Sequence, residues 1–150
     1  MSIVREKILI PVDGSKTAFE VLEYGVELAE KLDSEVVVVY VVEPFSKSPT
    51  LLAQFKAEMV HQTEELLENV GNVIIKHVQD KFADTGIPLE CEIRDGNAAE
   101  QILLAAEEWG CSMIVIGNRG LGTVAEFLLG SVSQKVSSHA KIPVLIVKNA

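Results

Sequence analysis

Four short segments of the chain are apolar without a break: Ile8-Leu9-Ile10-Pro11-Val12, Val36 to Val42, Met113-Ile114-Val115-Ile116 and Val144-Leu145-Ile146-Val147. Most of these positions are β-branched and none alternates with a polar one, the pattern of strands buried on both faces. Helices on either side of a parallel sheet give that burial, because right-handed crossovers set a helix between successive strands. A fifth run, Leu89-Glu90-Cys91-Glu92-Ile93, alternates apolar and charged residues. One of its faces is wet, and its expected place is an edge of the sheet.

Between the strands the period becomes helical. From Ser15 to Leu32, Phe19, Leu22, Val26 and Ala29 form an apolar stripe, while Glu20, Glu23, Glu27 and Glu30 fall on the other side and Glu27 and Lys31 are spaced as an i,i+4 pair. Met59, Leu66, Val70, Ile74 and Val78 predict a longer helix from about Phe55 to Phe82, stopped before Thr85-Gly86-Ile87-Pro88. Gly71 is its weak interior point, costing about 1 kcal/mol relative to alanine. Asn97, with Glu100 as a capping-box partner, opens a third helix through Ile102, Leu103, Ala106 and Trp109 that halts at Gly110. Ser131 to His139 supplies a short fourth. The order βαβαβαβαβ, without linker, repeat or low-complexity stretch, predicts a single doubly wound α/β domain over residues 1–150. Glu43 to Thr50, with two prolines and two serines, is the candidate mobile loop and follows the second strand directly.

Composition narrows the function classes. A chain of 150 residues with 48% hydrophobic content buries about 70% of its unfolded surface at this length, so its core needs no metal or disulfide staple. The net charge of −9, from 22 acids against 13 bases, repels nucleic acid phosphates and anionic membranes. Neither partner is expected. Met1 to Lys7 contains no apolar signal core, and the longest apolar run falls far short of the ~18 residues that cross a bilayer; the expected location is cytoplasmic. Cys91 and Cys111 stand apart, outside any CxxC pattern, and read as reduced thiols packed as small hydrophobes.

In open parallel sheets, ligands bind outside the carboxyl ends of the strands where the strand order reverses. Asp13-Gly14-Ser15 follows the first strand, and Gly117-Asn118-Arg119-Gly120-Leu121-Gly122-Thr123, running on to Gly130-Ser131-Val132-Ser133, follows the fourth. With the order 3-2-1-4-5 these two segments face one crevice. Glycines at 117, 120 and 122 let backbone N–H groups approach an anion, and Gly130-Ser131 opens a helix whose unpaired N–H groups and dipole favour phosphate. Ser131 and Ser133 add hydroxyl donors. In so acidic a chain these fixed dipoles, with Arg119 and a divalent cation, offset the unfavourable field. A Walker A loop is excluded, since Gly130 is followed by Ser131 and Val132 rather than lysine. Gly120 to Ala125 satisfies GxGxxA, yet follows the fourth strand and has no acid ~20 positions later for a ribose.

Gly117, two residues, Gly120, nine residues, Gly130 and Ser131 form a G-2x-G-9x-G-[S/T] signature. The chain thereby resembles the ATP-binding branch of the universal stress protein family. Lys7 to Ser15, the Gly96-Asn97 turn and Ile142 to Val147 extend the resemblance over the whole chain. It implies an adenine nucleotide alpha hydrolase-like fold and an ATP ligand with Mg2+, with adenine near the backbone of Val41 and the nucleoside flanked by Pro11, Val12 and Asp13. Asp13 has two readings, orienting ribose or a metal-bound water, or capping the first helix. Gly117, Asn118, Gly120, Gly130, Ser131, Val132 and Ser133 would form the phosphate side, with Arg119 either meeting a phosphate or pointing to solvent. Gly130-Ser131 is also readable as an ordinary helix start. Asn118-Arg119 departs from the serine with histidine or arginine that many relatives carry there. The resemblance further implies a homodimer through the last strand, around Val144 and Ile146, where an apolar edge would otherwise be left bare.

No catalytic set accompanies this site. His61, His77 and His139 fall on predicted helices away from the strand ends, and Ser15 and Ser131 have no assigned base. Phosphoryl transfer needs a group that positions water and charge that stabilises the transferring phosphoryl. The expectation is a nucleotide-dependent switch or sensor of the stress response, with an unidentified protein partner and at most slow ATPase activity. The alternatives are a nucleotide-free dimeric stress adaptor and, more remotely, a flavin electron carrier, against which the 5% aromatic content argues.

Overall fold

The computed structural model describes residues 5–43, 57–118 and 129–148. Along the chain these residues form β1 (Lys7–Val12), α1 (Lys16–Leu32), β2 (Glu35–Val42), α2 (Ala57–Phe82), a 3-10 turn (Ala83–Thr85), β3 (Leu89–Asp95), α3 (Ala98–Glu108), β4 (Met113–Gly117), α4 (Ser131–His139) and β5 (Val144–Val147). The five strands make one parallel sheet in the order β3-β2-β1-β4-β5. This is the α/β architecture expected from the apolar runs.

Successive side chains of a strand point to opposite faces, and here both faces are covered. Ile8, Ile10, Val12, Val36, Val38, Tyr40 and Val42 pack with α1 and α2, while Leu9, Val37, Val39, Ile114 and Ile116 pack with α3 and α4. That is why these strands read as unbroken apolar runs. The alternating strand β3 lies at one edge as expected, and β5 at the other. β3 is two residues longer than its sequence pattern indicates, taking in Arg94 and Asp95.

The helix limits follow local chemistry. Ser15 caps α1, its hydroxyl accepting from the N–H of Ala18 at 3.1 Å, and Asp33 closes it in the left-handed region at φ 52°. Asn97 caps α3 by accepting from the Glu100 N–H at 3.1 Å. α2 ends at Phe82 as predicted, whereas its expected start at Phe55 lies outside the described residues. Gly71 has a tertiary reason: a Cβ there would sit 2.8 and 2.9 Å from ring atoms of Tyr40. Gly25 likewise lets α1 descend onto β1, where a Cβ would meet Ile10 Cδ1 at 2.3 Å. No described helix is long and apolar enough to cross a membrane.

Candidate functional site

The chain leaves β1 for α1 on one face of the sheet and leaves β4 for α4 on the other. The order therefore reverses between these neighbouring strands, and it is outside the carboxyl ends of such a pair that open parallel sheets form a ligand crevice. Register sets its floor. Val12 pairs with Tyr40 of β2, and Leu9 with Ile114 of β4, which brings Val12, Tyr40 and Gly117 to one level.

At the end of β1, Pro11 is half-buried, Val12 buried and Asp13 half-buried. Asp13 Oδ1 accepts the backbone N–H of Ser15 at 3.0 Å, while Gly14 turns at φ 84° with Ile74 Cδ1 2.8 Å from where a Cβ would stand. The cap of α1 is thus Ser15, and Asp13 holds the turn that precedes it. Tyr40 reaches the same region: burial, and then the Asp13 carboxylate, push its phenol above the usual tyrosine range.

Val41 is the residue where β2 outruns β1. The ladder with β1 stops at the Val12–Tyr40 pair, but that with β3 continues to Val42–Asp95, and the Val42 carbonyl accepts from the Gly96 N–H at 2.9 Å. Backbone groups of successive strand residues face opposite neighbours. The Val41 carbonyl accordingly faces the β1 side, one residue beyond the last rung.

On the β4 side the two ends of a long connection are fastened together. Asn118 N–H donates to the Val147 carbonyl at 3.1 Å and Gly130 N–H donates to the Asn118 carbonyl at 2.8 Å. Gly130 is buried and stands at the cap position of α4 without a side chain to fill it. The N–H groups of Ser131, Val132 and Ser133 have no intrahelical acceptor at such a terminus. Ser131 is exposed, Val132 half-buried and Ser133 buried. One expectation is corrected here: Ser133 does not offer its hydroxyl proton to a ligand, since its Oγ donates to the Gly117 carbonyl at 2.5 Å. A hydroxyl has one proton, so the backbone N–H is the donor Ser133 retains. Arg119 and Gly120 lie outside the described residues, as do the loop residues 44–50.

The remaining chemistry is structural. His77 is exposed and stacks edge-on against Phe19 of α1 with centroids 5.1 Å apart, and His139 Nδ1 lies 2.9 Å from the Lys135 carbonyl oxygen. Burial pushes the thiols of Cys91 and Cys111 up to about 11, keeping both protonated at neutral pH. Among the described residues no group of three or more His, Cys, Asp or Glu could hold a metal ion. What sequence reasoning missed is Tyr40, hidden within an apolar run, and a hydrogen-bonded cluster around Arg94, hidden because the alternating pattern of β3 ends at Ile93.

Residues 5–148 match the model of the universal stress protein family. The universal stress protein MJ0531 of Methanocaldococcus jannaschii is 34% identical over 145 residues, covering 95% of this chain and 82% of the relative. The solved structure of protein MJ0577, a universal stress protein of the same organism, superposes with a TM-score of 0.82 at 26% identity over 99% of each chain. Two neighbours alike only in fold carry nucleotides: a universal stress protein in complex with cAMP (TM-score 0.72, 22% identity, 97% and 98% covered) and an Arabidopsis thaliana family member with AMP bound (TM-score 0.65, 18% identity, 97% and 92% covered).

Proposed function

The chain belongs to the universal stress protein family, and we propose that it is a nucleotide-dependent switch of the stress response that binds ATP with Mg2+ between β1 and β4. The observation that carries this reading is the fastening of Gly130 to Asn118, which sets the N–H groups at the start of α4, which lack intrahelical acceptors, beside the end of β4. Such a terminus attracts phosphate by its unpaired donors and its dipole. At the other end of the crevice, the Val41 carbonyl suits an exocyclic amino group, the donor that adenine presents. Pro11, Val12 and Asp13 lie between the two, and Gly117, Asn118, Arg119, Gly120, Ser131, Val132 and Ser133 complete the phosphate side. The AMP and cAMP complexes of fold neighbours support an adenine nucleotide as the ligand class.

Binding rather than turnover is the function. The groups facing the crevice are chiefly backbone donors and acceptors, which position a nucleotide without moving a proton; any ATPase activity is slow. The reading takes residues 1–150 as one cytoplasmic domain, supported by a single sheet from Lys7 to Val147 and by two free thiols, which suit a reducing compartment. It also includes a homodimer through β5, whose Val144 and Ile146 lie on an edge strand.

A second reading, a nucleotide-free dimeric adaptor, is favoured by the Ser133–Gly117 bond, which gives part of the glycine-rich region a purely structural task. One experiment separates them. Freshly purified protein is heat-denatured and any released nucleotide identified by chromatography, after which the emptied protein is titrated with MgATP by calorimetry. Released ATP or micromolar binding is the expected result; an empty protein indifferent to MgATP selects the adaptor.

A further inference from the structure

Arg94, on β3, is the register partner of Val41 and points to the face that carries α3. Its side chain is only 13% exposed and all its bonds run to that face. Nη1 donates to Glu92 Oε1 at 2.6 Å and to Glu108 Oε2 at 2.9 Å, and Nε donates to Gln101 Oε1 at 2.9 Å. Gln101, so held, lies directly on Gly96: at φ 140°, a Cβ on this glycine would fall 2.9 Å from Gln101 Nε2 and 3.0 Å from its Cγ. The Gly96 N–H in turn grips the Val42 carbonyl at 2.9 Å. One residue further on, Glu43 Oε1 accepts the Ala98 N–H of α3 at 2.9 Å, a carboxylate placed where a helix N-terminus favours one.

We propose that Arg94 and Gln101 are positioning residues which, through Gly96 and Val42, fix the direction of the Val41 carbonyl and thereby make the crevice selective for the 6-amino group of adenine over the 6-oxo group of guanine. This rests on the nucleotide reading of the crevice. Neither side chain touches the ligand. A guanine offers its O6 acceptor where adenine offers its amino donor, and a carbonyl held rigidly against an acceptor repels it. A carbonyl free to swing away, as the β2 end is released from the β3–α3 turn, would lose that discrimination. The path from Arg94 to Val41 is continuous, and each link is a hydrogen bond, a packed contact or one peptide.

The test is the ratio of MgATP to MgGTP affinity, measured by calorimetry on wild type, Arg94→Met, Gln101→Leu and Glu108→Ala. Removing Arg94 or Gln101 should lower the ratio about tenfold, a difference of about 1.4 kcal/mol. Glu108→Ala breaks an exposed ion pair but leaves the Arg94–Gln101 bond, and should keep the ratio within about twofold. A purely structural role would move thermal stability in Arg94→Met without moving the ratio. Should Arg94→Met fail to fold, Gln101→Leu, which retains both ion pairs of Arg94, carries the test. A wild type that prefers ATP, with unchanged ratios in Arg94→Met and Gln101→Leu, overturns this proposal alone. Equal affinity of the wild type for both nucleotides also overturns it, whereas binding of neither overturns it together with the nucleotide reading.

Discussion

The Ser133 hydroxyl donates to the Gly117 carbonyl at 2.5 Å, joining the first turn of α4 to the last residue of β4. Ser133 is 4% exposed, and the bond holds the start of that helix at the reversal of strand order. Ser133→Ala leaves the half-buried Gly117 carbonyl without this donor, and losing such a hydrogen bond costs about 0.5–1.5 kcal/mol. A urea denaturation series should show a loss of that size. MgATP affinity should fall as well, because the N–H groups of Ser131 and Val132 are placed by the same turn.

Gly71→Ala reverses a familiar sign. In an exposed helix interior, alanine is favoured over glycine by about 1 kcal/mol. Here the added Cβ would lie under 3 Å from the Tyr40 ring, and the buried strand beneath has little room to yield. The variant should be destabilised by about 1–3 kcal/mol, the range for overpacking. Asn72→Ala, at an exposed neighbouring position, should be neutral or slightly stabilising in the same denaturation assay.

These two residues also show where sequence stops being informative. The strand order and helix spans were legible because Val36 to Val39 and Ile114 to Ile116 are covered on both faces, which a continuous apolar run records directly. Gly71 was readable only as a propensity defect, since its partner Tyr40 is remote in the chain and leaves no periodic trace. Arg94 was missed for a similar reason: a charge at the end of a strand pattern reads as a boundary until Gln101 and Glu108 of α3 are known to receive it. The glycine spacing drew attention to the end of β4 and the start of α4, the proposed phosphate side. It could not tell that the Ser133 hydroxyl turns inward, because direction around a helix start depends on the strand behind it.

Two substitutions at Asp13 separate its turn-forming role from a role in binding. Asp13→Asn keeps an oxygen at the Oδ1 position and so keeps the acceptor for the Ser15 N–H, but removes the charge. Stability should change by less than about 1 kcal/mol, as for a conserved hydrogen bond, while MgATP affinity should fall about tenfold if the carboxylate orients ribose or a metal-bound water. Asp13→Ala loses both and should be less stable than Asp13→Asn. Equal affinity of wild type and Asp13→Asn for MgATP would confine Asp13 to the turn.

Alkaline pH should destabilise the fold through its thiols. Cys91 and Cys111 are raised from 9.0 to about 11 by burial, so the native state holds these protons more tightly than the unfolded chain. Their contribution is fully present below pH 9 and is lost as pH rises from about 9 to about 11. Tyr40, also raised, contributes in an overlapping range. The measurement is therefore the difference in pH dependence of the urea midpoint between wild type and the Cys91→Ala, Cys111→Ala double variant. The double variant should show the shallower decline above pH 9.

The outer edge of β5 gives the proposed dimer a selective test. Pro143 and Val147 direct their carbonyls at β4, accepting from the N–H groups of Ile114 at 3.0 Å and Asn118 at 3.1 Å. By strand alternation, the backbone groups of Val144 and Ile146 face away from β4, where a second copy of the same strand would pair with them. Ile146→Pro removes one outward N–H without removing a donor or acceptor from the β4 ladder, and proline is tolerated on that side of an edge strand. Sedimentation equilibrium should give a dimer for the wild type and at least about tenfold weaker association for Ile146→Pro, equivalent to about 1.4 kcal/mol. Circular dichroism should be unchanged, because both apolar layers around β1, β2 and β4 remain in place. Identical association constants for the two proteins would remove the β5 edge from the interface.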